Sequence, residues 1–516
     1  MRFAKLALGR LPALGRLLTF GRLLAFGRLL AFGRACTFTF GLGALSACAV
    51  GPNYHVPEFK ASAHYKEDQG WKPSEPADAI ARGPWWEIFK DEQLDELERE
   101  ADASNENIKA ALAAYDQARA LVRQAQAAYW PTLQVNAGRT RSQSSAGSGS
   151  TTTAPGGTST VPVALTGNRT ATLYTLGATA DWTIDVWGQI RRTVESNRAS
   201  AQASAAALAG ARLSAQTLLA TDYFELRAQD QLLKLLDDTV AAEQLSLKIT
   251  QSRYKFGVAA KADVVSAETQ LLSSQAQEIN AGIQRATLEH AIAVLVGKQP
   301  ADFALERAAM RADVPTVPAG LPSTLLERRP DVAQAERKMA QANAQIGVAI
   351  AAYFPSLTLS GSIDYSNNTL AHLVSLPNRA WSLGPAVAET VLDGGLRRAE
   401  VAGARAAYQG NVATYRQTVL TSFEQVEDEI ATLRILEQQS AVEEEAVKAA
   451  REAEALTLNQ YKAGTVPYSS VITAQTTRLS AEETALTVLS SRLQASVALI
   501  QALGGGWDTK QLPAHP

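Results

Sequence analysis

Two pairs of segments alternate apolar and polar residues with the period of a β-strand. The alternating apolar positions are Leu133, Val135 and Ala137, then Leu176, Ala178, Ala180, Trp182 and Ile184, and in the second pair Leu357, Leu359, Ile363 and Tyr365, then Trp381, Leu383 and Val387. Alternation over about ten residues with aromatic rings at the strand ends is typical of transmembrane β-barrel strands. A soluble hairpin with aromatic core residues fits the same pattern, so the strands alone leave both interpretations open.

Most of the remaining chain has the pattern of very long helices. No proline occurs between Pro162 and Pro300, and the run from Gln189 to Ser252 contains one glycine, Gly210. At about 1.5 Å per residue, its roughly 63 residues reach about 95 Å. A second proline-free run extends from residue 397 to residue 459. The helix after the first run carries an apolar stripe, which predicts packing in an extended coiled coil. The residues of this stripe are Val264, Val265, Leu271, Leu272, Ile279, Ile283, Leu288, Val294 and Leu295.

Three segments recur in the same order, so the chain is an internal tandem duplication. AAYWPTLQV returns as AAYFPSLTL, DVWGQIRR as VLDGGLRR, and RYKFGVAAKADVVSAETQLLS as QYKAGTVPYSSVITAQTTRLS. The first copy carries an insertion rich in Ser, Gly, Thr and Pro at residues 142–163, a composition that cannot form a packed core. An interdomain linker would have this composition too, but the duplication places the insertion inside a repeat and predicts an exposed loop facing outside the cell.

The duplication divides the chain into predicted segments. These are a signal peptide (1–47), an N-terminal segment carrying a lipid anchor (48–100), a first repeat with a β-hairpin at 131–187 (101–300), a connecting segment (301–327), a second repeat with a β-hairpin at 355–393 (328–504), and a C-terminal tail (505–516). Each chain then supplies four strands, whereas a barrel needs about eight. Unpaired strand edges in lipid cost several kcal/mol per group, so we expect copies of the chain to pool their strands.

The N-terminal residues predict secretion and lipidation. Residues 1–47 contain seven basic residues and no acidic one, followed by a short apolar run that ends in small residues, as in a signal peptide. Leu45-Ser46-Ala47-Cys48 resembles the lipobox of bacterial lipoproteins, in which the cysteine carries diacylglycerol and an N-acyl chain. The alternative is that Cys48 is a small apolar residue beside an ordinary cleavage site. The preceding GRLLTF and GRLLAF repeats fit either a start codon placed too early or a basic amphipathic arm.

Cleavage before Cys48 changes the composition of the mature chain. Removing 47 of 516 residues leaves 469, and it removes Cys36, so no intramolecular disulfide is expected. The 42 remaining basic residues stand against 51 acidic ones, a net charge near −9, which argues against a nucleic-acid partner. The five histidines are scattered, and neither a phosphate-binding glycine loop nor a nucleophile elbow occurs. We therefore expect no enzyme, no metal site and no cofactor apart from the covalent lipid.

The arrangement resembles the outer-membrane factor family of tripartite efflux pumps, in its TolC- and OprM-like lipoprotein branch. The resemblance rests on segments that span nearly all of the mature chain: CAVGPNYHVPE after the lipobox, WWEIFKDEQLDEL, IDVWGQIRR, RRPDVAQAERKMAQANAQIGVAIAAYFPSL, LDGGLRRAEVAGARAAY and ALGGGW. It implies a mixed α and transmembrane-β fold: a homotrimer with a 12-stranded β-barrel, continued by a long periplasmic α-helical barrel with an equatorial belt. That belt would comprise residues 49–100, 298–327 and the C-terminal tail.

The same resemblance implies a passive exit duct for drugs or other small molecules, anchored in the outer membrane and extending into the periplasm. A periplasmic adaptor (membrane fusion) protein and an inner-membrane pump would be its partners, alongside outer-membrane lipid. The alternative is a lipid-anchored periplasmic coiled-coil structural or adaptor protein without a pore. The cargo stays open, because a shared duct needs no specific pocket.

The two helical turns are the candidate interaction sites. Tyr254-Lys255-Phe256-Gly257 and Tyr461-Lys462-Ala463-Gly464 occupy matched places in the repeats. Glycine suits a helix-ending turn with positive φ, but Tyr and Lys recur as well, which a turn alone does not require. The resemblance implies that these tips dock the adaptor, and that the adjoining helices close the channel. Asp263 and its counterpart Ser470 are possible gate residues; for Asp263, an N-cap role is the favoured alternative.

Overall fold

The computed structural model describes residues 49–57, 65–67, 84–144, 169–311, 313–317 and 325–514. Cys48 and most of the insertion at 142–163 lie outside these ranges. The chain divides into two compact units. The first contains residues up to Asn53 together with Gln124–Glu195 and Ala344–Ala404, and the second contains Tyr54–Arg123, Ser196–Asn343 and Arg405–Pro516. Among the described helices, none is both long enough and apolar enough to cross a membrane.

The helices and strands follow the duplicated order that the sequence pattern predicts. The elements in chain order are α1 (Glu92–Ser104), α2 (Glu106–Ala127), β1 (Thr132–Ser144), β2 (Arg169–Ile184), α3 (Gln189–Lys255), α4 (Lys261–Leu295), α5 (Leu325–Arg328), α6 (Pro330–Ala351), β3 (Ser356–Asn367), β4 (Arg379–Ala388), α7 (Leu396–Ala463) and α8 (Tyr468–Ala502). The predicted runs at 189–252 and 397–459 are therefore single helices, α3 and α7, that continue three or four residues further to the turn glycines.

The first unit contains an antiparallel sheet with strand order β1-β2-β3-β4. Leu133 lies opposite Ala180, which lies opposite Gly361, which in turn lies opposite Leu383. Side chains alternate between the faces of a strand, so this register collects all the alternating apolar positions on one face. The opposite face is polar and carries, among others, Thr132, Gln134, Asn136, Thr179, Asp181, Thr358, Ser360, Ser362, Asp364 and Ser382.

The aromatic rings at the strand ends are exposed in the single chain. Trp130 is 74% exposed and Trp381 is 70% exposed. Trp182, by contrast, donates from Nε1 to the carbonyl of Tyr129, which ties the start of β1 to the end of β2 at 2.9 Å. A soluble hairpin with an aromatic core would bury these indoles, so that interpretation of the strands is wrong for Trp130 and Trp381.

The second unit is built from helices around one main apolar cluster. Trp85, Leu94, Leu219, Tyr223, Ile292, Ile430 and Leu493 are among its buried members. Asp91 caps α1 by accepting from the backbone N–H groups of Gln93 and Leu94, and Asn105 caps α2 by accepting from those of Asn107 and Ile108. These caps satisfy helix N–H groups that have no partner inside the helix.

The apolar stripe predicted on α4 does not form one buried face. Leu288 and Leu295 are buried, whereas Val265, Leu272, Ile279, Ile283 and Val294 are each more than half exposed. The sequence shows that these positions are apolar, but it does not show which of them a neighbouring helix of the same chain covers.

Candidate interaction site at the helical tips

Two turns join the long helices in the second unit. The first tip, residues 253–260, joins α3 to α4, and the second tip, residues 460–467, joins α7 to α8. The N–H of Gly257 donates to the carbonyl of Tyr254 at 2.9 Å, and that of Val258 donates to the carbonyl of Arg253 at 2.8 Å. In the second tip Gly464 donates to Tyr461 at 2.9 Å and Thr465 to Gln460 at 3.0 Å. Both tips therefore end their helix with a Schellman motif.

Glycine is required at both turns by the backbone. Gly257 has a φ of 75° and Gly464 a φ of 81°, in the left-handed region that costs other residues about 1–2 kcal/mol. A Cβ at Gly257 would meet nothing within 4 Å, and one at Gly464 would meet only the Arg253 guanidinium at 3.8 Å. The constraint is therefore conformational, and the space around both glycines is open.

The two tyrosines of the repeated motif lie in different environments. Tyr254 is 47% exposed, whereas Tyr461 is 4% exposed and belongs to a small cluster with Ala267, Tyr468 and Val471. The rings of Tyr461 and Tyr468 meet edge to face, with centroids 5.2 Å apart. The Tyr461 hydroxyl donates to Oγ1 of Thr250 on α3 at 3.4 Å. Tyr461 thus binds its own tip to the neighbouring hairpin.

Arg253 links the first hairpin to the second. Its guanidinium carbon lies 4.9 Å from the centre of the Tyr461 ring, and Nη1 donates to the carbonyl of Lys462 at 2.8 Å. That carbonyl is one of the last in α7, where the helix dipole favours a cation. Arg253 and Tyr468 lie outside the recurring Tyr-Lys-x-Gly motif. Comparing the repeats position by position reveals them, because Gln460 and Lys261 stand at the corresponding positions.

The remaining motif residues are solvent-facing. Lys255 and Lys462 are exposed, as are Phe256 at 76% and Val258. The second tip has Ala463 and Thr465 at the positions of Phe256 and Val258. The first tip therefore presents apolar side chains that the second lacks.

Asp263 does not occupy the predicted N-cap position. Helix α4 begins at Lys261 with Ala260 as its N-cap, so Asp263 is the third helical residue. Its carboxylate accepts from the backbone N–H of Ala260 at 3.4 Å, which is the return half of a capping box. Ser470 is likewise the third residue of α8, after Pro467. Both are half-buried in the single chain.

A polar seam on α3 leads to the tips. Thr239, Glu243, Ser246 and Thr250 are all buried, whereas Leu219, Leu226, Leu233 and Leu236 fill the earlier turns of the helix. Gln270 on α4 donates from Nε2 to Glu243 at 3.0 Å, and Arg478 on α8 donates from Nη2 to Thr239 at 3.2 Å. Burial raises the pKa of the Glu243 carboxyl. Burial, followed by the nearby Glu243, raises the pKa of Tyr468 to about 12.

Within the residues that the structure describes, no group of three or more His, Cys, Asp or Glu side chains is arranged to hold a metal ion. The tips offer exposed side chains for contact.

The chain combines an internal duplication, a four-stranded sheet with one apolar and one polar face, and very long helical hairpins. These features define a class of outer-membrane channel proteins in which the strands are joined to long helices. The sequence profile of the outer membrane efflux protein family matches residues 97–298 and 321–505. The chain belongs to this family. This confirms the predicted family, the fold class, the outer-membrane location and the efflux-channel function over the poreless coiled-coil alternative. The family is one of transport proteins, which are not enzymes.

Relatives of known role match along nearly the whole chain. The toluene efflux pump outer membrane protein TtgC of Pseudomonas putida is 28% identical over 466 residues, covering 90% of this chain and 93% of TtgC. The pyoverdine export outer membrane protein OpmQ of Pseudomonas aeruginosa is 31% identical over 438 residues, covering 84% of this chain and 89% of OpmQ.

Solved structures share the fold. The outer-membrane channel OprN superposes with a TM-score of 0.78 at 28% identity, covering 89% of this chain and 100% of OprN. The open state of the Neisseria gonorrhoeae MtrE outer membrane channel gives a TM-score of 0.76 at 24% identity, covering 90% of this chain and 99% of MtrE. The similarity to MtrE shows a shared fold alone.

Proposed function

We propose that three copies of this chain form the exit duct of a tripartite efflux system. The observation that carries the proposal is the sheet of the first unit. One face is apolar, the other is polar, and four strands leave β1 and β4 as open edges. Three copies would supply twelve strands, which closes the edges and gives a barrel wide enough for a water-filled interior. The apolar face would meet lipid and the polar face would line the lumen.

Two exposed stripes on the helices support assembly of copies into a ring. On α4 Val265, Leu272 and Ile279 recur every seven residues, and on α7 Ile435, Val442 and Leu456 keep the same register. All six side chains are more than half exposed. A seven-residue apolar repeat needs a partner helix, and two different stripes on one chain fit a head-to-tail contact that closes into a ring.

The tips would dock a periplasmic adaptor protein, which in turn would connect the duct to an inner-membrane pump. The proposed docking residues are Tyr254, Lys255, Gly257, Tyr461, Lys462 and Gly464. Because Tyr461 is buried, it would lie beneath the docking surface and hold that surface in shape. Asp263 and Ser470 would line the closed end, where three copies of Asp263 would favour cations. Relatives named for toluene and pyoverdine export support small molecules as the cargo.

Cys48 would carry diacylglycerol and an N-acyl chain as a supplementary anchor, because the barrel itself spans the membrane. Replacing Cys48 by Ala should abolish labelling with radioactive palmitate while leaving some inserted protein. Labelling that persists in the variant would rule this anchor out.

Charge reversal inside the barrel tests the duct. Asp364 lies on the polar face and is exposed in the single chain, so Asp364→Lys should shift the reversal potential of the purified channel toward anions in a planar bilayer under a salt gradient. Arg379→Gln alters charge on the apolar face and serves as the control, with little expected shift. A protein that conducts no ions, or an Asp364→Lys variant with unchanged selectivity, would contradict the proposal.

A further inference from the structure

The charged residues on one face of the sheet all have the same sign. The apolar face carries three, all of them arginines: Arg139 and Arg141 on β1, and Arg379 on β4. The carboxylates of the four described strands, Asp181 and Asp364, lie on the polar face. The three arginines therefore have no acidic residue beside them on their own face of the sheet. All three side chains are exposed.

The three arginines lie far along their strands from the junctions of β1 with α2 and of β4 with α7. Arg141 is nine residues beyond the start of β1 at Thr132, and Arg379 is nine residues from the end of β4 at Ala388. At about 3.3 Å per residue each lies about 30 Å along the strand. An apolar band about 25 Å tall, crossed by tilted strands, ends near that point. Arg139 lies two residues closer than Arg141 to the start of β1. Its guanidinium still reaches the end of the apolar band, because the long side chain can extend toward the headgroups.

Aromatic residues mark the same boundary. Tyr174 lies opposite Arg139 on the neighbouring strand, and the guanidinium carbon is 5.7 Å from the centre of its ring. Tyr365 lies opposite Arg379 in the same way. Tyrosine is typical of the layer between hydrocarbon and headgroups. The arginines thus lie at the depth where lipid headgroups begin.

The arginines belong to the two edge strands of the sheet. Within one chain β1 and β4 are separated by three strand spacings, or about 14 Å. If the sheet closes with neighbouring copies, β4 of one copy lies about 5 Å from β1 of the next. Each junction would then bring Arg379 of one copy beside Arg139 and Arg141 of its neighbour. This step rests on the proposed trimeric duct.

We propose that each junction binds the phosphate groups of an anionic lipid in the outer leaflet. Guanidinium groups bind phosphate oxygens in a bidentate manner, and three of them without a carboxylate on the same face leave a positive charge that needs an anion. The face that carries them is apolar, so the anion is presented by the lipid itself; free phosphate is confined to water. The lipid would thereby bridge two copies at the outer rim of the barrel.

Lipid retention by the purified trimer tests the site. Native mass spectrometry of detergent-solubilised protein is carried out with lipid A, which carries two phosphates, and with its dephosphorylated form. The wild type should retain lipid A over the dephosphorylated form by about tenfold, as charge-assisted contacts imply. The Arg139→Gln, Arg141→Gln, Arg379→Gln triple variant should lose that preference. Arg398→Gln removes the same charge at an exposed position outside the strands and should keep it.

The spectrum also separates the two levels of the proposal. A trimer that retains both lipids equally overturns the lipid site and leaves the duct intact. Wild-type protein that is not trimeric overturns both, and its mass identifies that case. Displacement of lipid A by inorganic phosphate at equal concentration would assign the arginines to a free anion and overturn the lipid assignment. If the triple variant does not assemble, the three single Arg→Gln variants are measured, and unchanged retention in all of them is decisive against the site.

Discussion

The two helical tips share a motif but differ in what the motif does. Both end a helix with the same glycine turn and the same two hydrogen bonds. Tyr254 of the first tip is half exposed and is followed by the exposed Phe256, whereas Tyr461 of the second tip is buried against Tyr468 and beneath Arg253. The second tip is thus anchored within the unit, and the first presents an apolar surface.

The difference arises from the partners of the motif. Tyr461 has Tyr468 at the start of α8, whereas Tyr254 has Lys261 at the corresponding position of α4. Arg253 covers Tyr461, whereas its counterpart in the second repeat is Gln460. The duplicated turn therefore keeps its backbone, while changes at neighbouring positions bury the tyrosine of the second tip and leave that of the first tip exposed.

The largest expected effect comes from removing the buried ring. Tyr461→Ala deletes an aromatic side chain from a packed cluster and should cost about 3–5 kcal/mol of folding free energy. Tyr254→Ala should cost less than about 1 kcal/mol, as at exposed positions generally. Thermal unfolding of the two purified variants in detergent makes the comparison. Equal destabilisation would show that the tyrosines are equivalent after all.

The turn glycines should respond alike in the two tips. Gly257→Asp and Gly464→Asp each force a side chain into a positive φ, at about 1–2 kcal/mol, and add a negative charge at the tip. We expect the trimer to assemble but export to stop, because adaptor docking is lost. Trimer yield, adaptor cross-linking and antibiotic susceptibility are the measurements. Normal susceptibility with both changes combined would exclude docking at the tips, whereas loss of the trimer would make the glycines purely structural.

Arg253→Gln introduces the residue that the second repeat has at this place. The variant loses the contact with the Tyr461 ring and the hydrogen bond to Lys462, and should be destabilised by about 1 kcal/mol. The reciprocal change Gln460→Arg is the control and should leave stability nearly unchanged, because Tyr254 lacks the packed surroundings of Tyr461. A stabilising effect of Gln460→Arg would show that the first tip can be anchored in the same way.

The polar seam below the tips should make stability depend on pH. The pKa of Glu243 is raised in the folded protein, so the folded state holds its proton more tightly and stability falls as pH rises above the unfolded carboxyl pKa of about 4.3. Glu243→Gln should weaken this fall as the pH rises from about 4.3. The melting temperature of both proteins as a function of pH is the measurement, and parallel curves would argue against Glu243 as the source.

Phe256→Ser should have the smallest effect on stability and a clear effect on docking. The ring is exposed and contributes little to folding, but exposed aromatics are typical anchors of interfaces. Adaptor cross-linking should fall while the melting temperature stays constant. Ala463→Ser, at the position of the second tip that corresponds to Phe256, is the matched control. Unaltered cross-linking in the Phe256→Ser variant would remove the first tip as the main contact.

The strands and the ends of the long helices could be predicted from the sequence. Alternation at Leu133, Val135 and their counterparts is a local signal, and the repeated glycine turns fix where the long helices end. The burial of Tyr461 could not be predicted, because it depends on Thr250 and Arg253 from α3 and on Tyr468 from α8. The N-cap role predicted for Asp263 was wrong, because α4 begins at Lys261 and its N-cap is Ala260, three residues before Asp263. Burial of the α4 stripe depends on which helices surround it, and periodicity does not carry that information.

Chemical modification of the two tyrosines tests the divergence of the tips most directly. N-acetylimidazole acetylates exposed phenols, and peptide mass spectrometry of the intact purified protein can follow Tyr254 and Tyr461 in the same sample. The structure requires Tyr254 to react at least about tenfold faster, since reaction at Tyr461 needs local opening of its cluster. Equal rates for the two residues, or faster acetylation of Tyr461, would contradict the difference in burial between the two tips.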